Sequence, residues 1–241
     1  MYKIYERFHR GAKPQKRVVG EKNFTYRILI GIIKNCMNKD VRRVLDIGCG
    51  VGTISFYLAN KGLHVTGIDV SKNAIDNCKQ TAANLCLKNK TEFILGTLEK
   101  INFNKKFDLV ICSEVIEHIS DDKNFLKIIH KVTRKGGILI LSTPSINAPL
   151  YKLGFSRQFD KRVGHLRRYE RNDIEKLVKS AGFLIKELKL TEGILRNFLF
   201  LSRFGWTIKF FKGIISDVVT VIDNSLISIF GESQIFVIAK K

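Results

Sequence analysis

Long apolar runs are missing from this chain. No stretch of about 18 uninterrupted apolar residues occurs, which argues against a membrane-spanning helix. Paired cysteines are missing too: Cys36, Cys49, Cys78, Cys86 and Cys112 show neither a C-x-x-C pair nor metal-ligand spacing. The N-terminus carries a charge every few positions and has no apolar centre, so no secretory leader is expected. Together these absences predict a reduced, cytoplasmic protein whose cysteines serve as small core residues. Acids are the third shortage. The 22 Asp and Glu face 42 Lys and Arg, giving a formal charge of +20. Such a balance predicts anionic partners, whether nucleic acid, an acidic membrane surface or an acidic substrate, without choosing among them.

What is present is enough for one good core. A 45% apolar content excludes wholesale disorder, and 241 residues suit a single domain over 1–241. Residues 1–40 read as a basic arm followed by a lid or packing helix, with 12 Lys or Arg against 3 acids in the first 43 positions. The part through Gly20 reads as extended. From Glu21 the apolar residues Phe24, Ile28, Leu29, Ile32, Ile33 and Cys36 recur at helical steps. As a lid, this segment would offer Lys13, Lys16 or Arg17 to an anionic group. Residues 41–191 with 233–241 read as the core sheet, and 192–232 as an amphipathic insertion.

The stretch Val44-Leu-Asp-Ile-Gly-Cys-Gly-Val-Gly-Thr-Ile-Ser55 is the organising motif. Its apolar start suits a strand buried on both faces, its glycines a sharp turn, and its end a helix starting near Val51 whose free N–H groups face a ligand. A dinucleotide site would place its third glycine at Thr53; here the pattern is Gly48-x-Gly50-x-Gly52 with Asp46 ahead of it. A second strand, His64 to Ile68, ends in Asp69, where a carboxylate can accept both hydroxyls of a ribose. Ser71 is placed to cap the next helix. Strands follow at Thr91 to Leu95, Phe107 to Cys112, Ile138 to Leu141, Phe183 to Thr191 and Ser233 to Lys240. Helices are expected after Ser120, as cap, and over Asp173 to Ala181.

The fourth strand runs into Ser113-Glu-Val-Ile-Glu-His-Ile119. Together with motif Val44–Ser55 and Asp69, this sequence resembles the class I S-adenosylmethionine (SAM) methyltransferases. It is similar to the ubiquinone-biosynthesis O-methyltransferase branch and the type 11 and type 12 methyltransferase domains, over roughly Val41 to Phe183. The resemblance implies an α/β Rossmann-like fold with seven strands in the order 3-2-1-4-5-7-6, the last one antiparallel, and helices on both faces. It implies SAM as cofactor, held by Asp46, Gly48, Cys49, Gly50, Gly52, Asp69, Val70, Thr97, Leu98 and Ser113. Thr97 replaces the acidic residue that often recognises adenine in this family.

Glu117, His118 and His165 are the candidate catalytic residues. A histidine titrates near working pH and suits proton transfer from a hydroxyl. Glu114, Glu117 and His118 would share one helical face, a spacing open to three roles: acid–base or positioning work, a divalent metal, or structure. No metal site is assigned. The long connection 145–170 carries Gly164-His-Leu-Arg-Arg-Tyr169, where His165, Arg167, Arg168 and Tyr169 face either an acceptor or solvent.

The insertion carries Leu195, Phe198, Leu199, Phe200, Leu201, Phe204, Trp206, Phe210 and Phe211 among Arg196, Arg203, Lys209 and Lys212. Membrane docking, a wall for a lipid-like substrate, and a packing or dimer surface all remain open for it. The expected function is O-methylation of a small-molecule, lipid-like or lipid-linked glycan acceptor, with the enzyme in the cytoplasm and peripheral at the inner membrane face. Methylation of nucleic acid and non-catalytic SAM binding are the alternatives. The charge supports the first; no Asn/Asp-Pro-Pro-Tyr/Phe motif for a flipped base is present. The acceptor's identity and the oligomeric state are not written in the sequence.

Overall fold

The computed structural model describes residues 2–201 and 214–241. Its seven strands are β1 (Arg43–Ile47), β2 (His64–Asp69), β3 (Thr91–Leu95), β4 (Phe107–Ser113), β5 (Thr133–Pro144), β6 (Leu184–Thr191) and β7 (Gln234–Lys240). They form one sheet in the expected order β3-β2-β1-β4-β5-β7-β6. The first five strands are parallel and β7 is antiparallel to both β5 and β6. From β1 the chain builds outward to β3, then returns to lay β4 on the other side of β1. This reversal leaves a crevice beyond the C-terminal ends of β1 and β4, the position where open α/β sheets bind ligands.

Strand alternation assigns the faces. On β1, Leu45 and Ile47 pack with α5 (Asp122–Val132) and α8 (Arg171–Ser180), through Phe125, Leu126, Ile129, Ile174 and Val178. Val44 points the other way, onto α2 (Arg27–Cys36) and α3 (Thr53–Asn60). The helix α4 (Lys72–Asn84) adds Ile75, Cys78 and Ala82 against Phe56 and Phe93 on this second face. Asp46, one residue past Leu45, therefore points toward α3.

Several boundaries differ from expectation for identifiable reasons. The first residues are not extended: α1 (Tyr2–Phe8) is helical. The next helix starts six residues later than Glu21, because Asn23 accepts the N–H groups of Thr25 and Tyr26 and holds a turn there. Asp121, not Ser120, caps α5 by accepting the Asn124 N–H. The fifth strand begins at Thr133, since it already pairs with Phe107 before an irregularity at Gly136-Gly137. The connection 145–170 contains α6 (Pro149–Lys152) and α7 (Arg157–Val163).

Between β6 and β7 lie α9 (Ile194–Leu201), α10 (Ile214–Ser225) and α11 (Ile227–Phe230). The buried Asp223 of α10 accepts the N–H groups of Gly193, Leu195 and Arg196, so it caps the start of α9 from a distance. Arg203, Phe204, Trp206, Lys209, Phe210, Phe211 and Lys212 lie outside the described residues, as do the side chains of Phe200 and Leu201. Among the described residues no helix is long and apolar enough to cross a membrane.

The buried Asp108 secures the entry to β1 by accepting the N–H groups of both Arg42 and Arg43, at 2.9 and 2.7 Å. Asp108→Ala leaves two backbone donors without an acceptor. It is expected to lower stability in a urea titration by roughly 2–3 kcal/mol, whereas an unchanged midpoint would mean that water replaces the carboxylate.

Candidate active site

The crevice begins at the glycine turn after β1. Gly48, Gly50 and Gly52 all adopt left-handed backbone, with φ of 67°, 51° and 77°. Their surroundings separate their roles. A Cβ on Gly48 would lie 2.4 Å from Val115 Cγ2, and one on Gly52 would lie 2.8 Å from the Phe56 ring. These two glycines let the turn pack against the turn after β4 and against α3. A Cβ on Gly50 would meet only the His9 ring, at 3.4 Å. Gly50 is thus the point where the turn presents bare backbone to the crevice.

Two buried carboxylates fasten this turn. Asp46 accepts the Ser55 hydroxyl at 2.6 Å from beneath. Burial pushes its carboxyl up to about 6, with the Ser55 bond opposing the rise and the charge of Asp69 adding to it. Asp69, at the tip of β2, accepts the Gly50 N–H through Oδ2 and the Ser71 N–H through Oδ1, both at 2.8 Å. Each oxygen keeps a further lone pair. The Gly96 N–H bonds to the Asp69 carbonyl at 2.9 Å, which draws the turn after β3 to the same corner.

The remaining expected donor-side residues divide by what they can offer. Val70 and Thr97 are half-buried at the corner. Leu98 is buried in the core, so only its backbone faces the crevice. The Cys49 thiol turns inward toward Cys78 and the Gly50 carbonyl, leaving its backbone as the exposed part. The Ser113 hydroxyl is 2.8 Å from that of Ser142 at the end of β4. Gly50 backbone, the Asp69 carboxylate and the Val70–Leu98 corner together fit an adenosyl ligand: a turn without a Cβ, a ribose acceptor and a partly apolar floor.

Across the crevice, Ser113–Ile119 is not the helical face its spacing implied. Glu114 takes a left-handed conformation, φ 57°, and Ile116–His118 is a single 3-10 turn. Glu114 therefore departs from the other two and accepts from Ser142 and Gln234. Its place is taken by His165. One ring nitrogen each from His118 and His165 and an oxygen of Glu117 lie within 4.8 Å of one another, a group of the kind that could hold a metal ion.

Each member of this trio is held from behind. His118 Nδ1 is 3.0 Å from the Gly164 carbonyl, which can only accept, so Nδ1 carries the proton and Nε2 is left as the basic nitrogen. Burial lowers the His118 pKa, and the nearby His165 adds to this against the Gly164 bond. His165 Nδ1 is 3.0 Å from Asp160 Oδ1, and Asp160 is gripped by Arg168 through both Nε and Nη2. Burial raises the Asp160 carboxyl, but His165 and Arg168 outweigh it and hold it below the usual range.

Glu117 is fully buried and its Oε2 accepts from Thr143, while Oε1 has no partner and lies 3.9 Å from His165 Nε2. Burial first, then the charge of Glu114, pushes its carboxyl well above the usual range, which favours the neutral acid. A desolvated acid beside two oriented imidazoles is the kind of perturbed cluster that marks a functional site.

The structure thus gathers the expected donor-side residues at one edge and joins Glu117 and His118, which follow β4 three strands along that edge from β3, with His165. Arg167 and Arg168 are each anchored by an acid, whereas Arg157 and Arg162 of the same connection are exposed. Arg168 is buried over the Tyr151 ring, and Arg167 bonds Asp122 together with the Tyr169 hydroxyl. Lys13, Lys16 and Arg17 are exposed; the contact with the glycine turn comes from Gln15, whose Nε2 donates to the Val51 carbonyl at 2.8 Å. Asp160, Gln15, Glu6 and Tyr5 were missed. Gln15, Glu6 and Tyr5 meet their partners across tens of residues, whereas Asp160 meets His165 and Arg168 five and eight residues on.

Comparison with known proteins agrees with this geometry. A family model described as a methyltransferase domain matches residues 38–182. The mitochondrial ubiquinone biosynthesis O-methyltransferase of Schizosaccharomyces pombe is 36% identical over 113 residues, 46% of this chain and 40% of that one. The chain thus matches less than half the length of such curated relatives. Among solved structures, a SAM-dependent methyltransferase from Archaeoglobus fulgidus superposes with a TM-score of 0.63 at 20% identity, covering 100% and 99% of the two chains. The [4+2]-cyclase SpnF gives 0.68 at 17% identity, covering 99% and 92%, so the shared fold does not by itself dictate methyl transfer. The family match spans more than half of the 241 residues, and the chain belongs to the SAM-dependent methyltransferase domains.

Proposed function

We propose that this chain transfers a methyl group from SAM to a hydroxyl of a small-molecule, lipid-like or lipid-linked acceptor. The reading is carried by His118. Its Nδ1 proton is committed to Gly164 and burial keeps the ring neutral, which leaves Nε2 free to take a hydroxyl proton. Bound at the glycine turn, SAM supplies a methyl group made electrophilic by its sulfonium. The chain's own part is orientation and exclusion of water. In this reading Asp69 accepts the ribose hydroxyls, Gly48, Gly50 and Gly52 give the methionine end room, and Val70 with the Leu98 backbone borders the adenine. His165, oriented by Asp160, and the protonated Glu117 position the acceptor beside His118.

The acceptor class rests on the apolar surface near the crevice. Leu153 and Phe155 after α6, Val221 on α10 and Ile229 on α11 are 65, 73, 69 and 72% exposed. The Leu150 N–H bonds Asn197 Oδ1, which ties α6 to α9. Exposed apolar residues on short helices of a chain with a +20 charge fit the interface of an anionic bilayer, where the acceptor would be held.

Three measurements test this. Asp69→Ala should weaken SAM binding by about 100-fold or more in calorimetry, as expected for losing a charged acceptor of two hydroxyls; unchanged affinity would remove Asp69 from the ribose site. With labelled SAM and a lipid extract, His118→Ala should lose roughly 10²–10⁴ in turnover while binding SAM normally. The active form is neutral, so turnover should rise with pH through a pKa below the ordinary 6.5 and stay level above it. Label appearing only in RNA would sink the acceptor class. Finally, the chain should float with vesicles containing anionic lipid, and the Val221→Asp/Ile229→Asp variant should not. Equal flotation of the two would move the contact elsewhere on the surface.

A further inference from the structure

The parallel strands give the sheet two ends, and the crevice occupies one of them. The other is a rim made by the starts of β1 to β5 and the end of β7, aligned by the pairings of Arg43 with His64, Val65 with Thr91, Phe107 with Thr133 and Ile138 with Lys240. The segments 38–43, 88–92, 104–108, 131–135 and 240–241 build most of this rim. They hold 12 Lys or Arg against 3 Asp or Glu, a net of +9 that is close to half of the +20 carried by the chain.

Little within the rim offsets this charge. Glu92 lies 3.5 Å from Lys105 Nζ and the buried Asp108 lies 2.5 Å from Arg134 Nε; no other rim cation is paired with a carboxylate among the described residues. Lys106 and Lys241 have a structural task, since their Nζ groups donate to the Lys131 and His130 carbonyls at 2.6 Å, where α5 ends. Burial, then the charge of Lys106, lowers the Lys241 pKa, as crowding of cations does. Capping does not account for Arg42, Arg43, Lys90, Lys135 or Lys240. Between Arg43, His64, Asn89, Lys90 and Lys105 the rim opens into a cavity of about 300 Å³. There Lys90 Nζ is 3.3 Å from His64 Nε2, a ring nitrogen that brings no negative charge.

The shape and composition of the row choose its partner. From Lys90 beside β3 to Lys240 on β7 it crosses six neighbouring strands, about 24 Å at the usual strand spacing. A compact anion would use the cavity alone, whereas a chain of phosphates matches the whole length. Protein interfaces rest on apolar and aromatic anchors and are poor in Lys, and none of the rim segments carries an exposed large apolar side chain. A bilayer would be drawn to the exposed apolar residues Phe155, Val221 and Ile229, but these lie in the connections that leave β5 and β6 at the crevice end. One flat membrane cannot meet both ends of the sheet.

We propose that this rim is a docking surface for the phosphate backbone of nucleic acid, held there without being methylated, with one phosphate seated in the cavity beside Arg43 and Lys90. With no exposed aromatic ring on the rim to stack a base, binding reads charge and not sequence, and salt weakens it steeply. The proposal needs nothing from the acceptor chemistry at His118.

The probe is a fluorescently labelled RNA duplex of about 20 base pairs, followed by anisotropy over a salt series with the full chain. Wild type should bind it with a slope of about −4 in log affinity against log salt, as for four or five neutralised phosphates. Arg43→Glu/Lys240→Glu should bind at least about tenfold more weakly, with a slope shallower by about 2. Lys13→Glu/Lys16→Glu changes the net charge by as much and should stay within about threefold of wild type. Calorimetric SAM affinity equal to wild type would show that the variants are folded. Lys90→Gln/Lys135→Gln, which reverses no charge, should give the same shallower slope. Equal weakening in the two charge-reversed variants would make the binding a matter of net charge and overturn the proposal. Transfer of label from SAM to the RNA would overturn it too, as would tighter binding of polyglutamate than of RNA at matched salt. Flotation of wild type with anionic vesicles that Arg43→Glu/Lys240→Glu abolishes would assign the rim to a bilayer instead.

Discussion

The Asp69 carboxylate is shared between two backbone segments, the glycine turn after β1 and the start of α4. One oxygen holds Gly50 in the glycine turn and the other holds Ser71 at the head of α4, each at 2.8 Å. Because the carboxylate sits at the end of a buried parallel strand, its position is set by the β1–β2 register, in which Asp46 pairs with Gly67 and Ile47 with Ile68. The turn, the helix start and the strand tip are thereby one rigid corner. Charge-assisted bonds of this kind are short and directional, and a corner built on them is formed before any ligand arrives. Each oxygen of Asp69 keeps a lone pair beyond these bonds.

Opposite that corner the structure uses a different device. Val115 fills the space that a Cβ on Gly48 would occupy, so the turn after β4 is wedged against the turn after β1. The wedge forces Glu114 into left-handed backbone and compresses Ile116–His118 into one 3-10 turn. His118 is carried to the crevice by this compression, and Gly164 and Glu117 meet it there because the Leu166 N–H bonds the Glu117 carbonyl. The acid–base cluster is therefore a product of two loops, from β4 and from α7, locked together through backbone.

This difference accounts for what could be read in the sequence. The strands, the glycine turn, Asp69 and the Ser71 cap were legible because each is specified by neighbours a few residues away, alternation for a strand, glycine for positive φ, serine before a helix; the sheet order followed only from the resemblance to the methyltransferase family. The Glu114–His118 spacing misled for the same reason. It satisfied a helical period, and no local rule reports that Val115 is wedged against Gly48. Arg168 stayed open between an acceptor contact and a solvated face because its partner Asp160 sits eight residues away on a helix hidden inside a connection. Glu6, Tyr5 and Gln15 lay in a basic arm without periodicity, where their partners on α4, at His118 and at Val51 left no trace.

The +20 charge of the chain does not reach the reaction centre. Around His118 the ionisable groups are chiefly acids, and burial raises Glu117, Glu114 and Glu192 together, with Glu114 and Glu192 each opposing the ionisation of another member. Burial disfavours the ionised form of each, while Glu192 also has the Arg196 guanidinium 3.1 Å away as a counter-charge. A neutral hydroxyl can enter such a pocket at little electrostatic cost. A phosphate there would have to displace protons or face unpaired acids. Most of the basic side chains are exposed and lie apart from these buried acids, so the surface charge of the chain and the polarity of the crevice are set by separate parts of the fold.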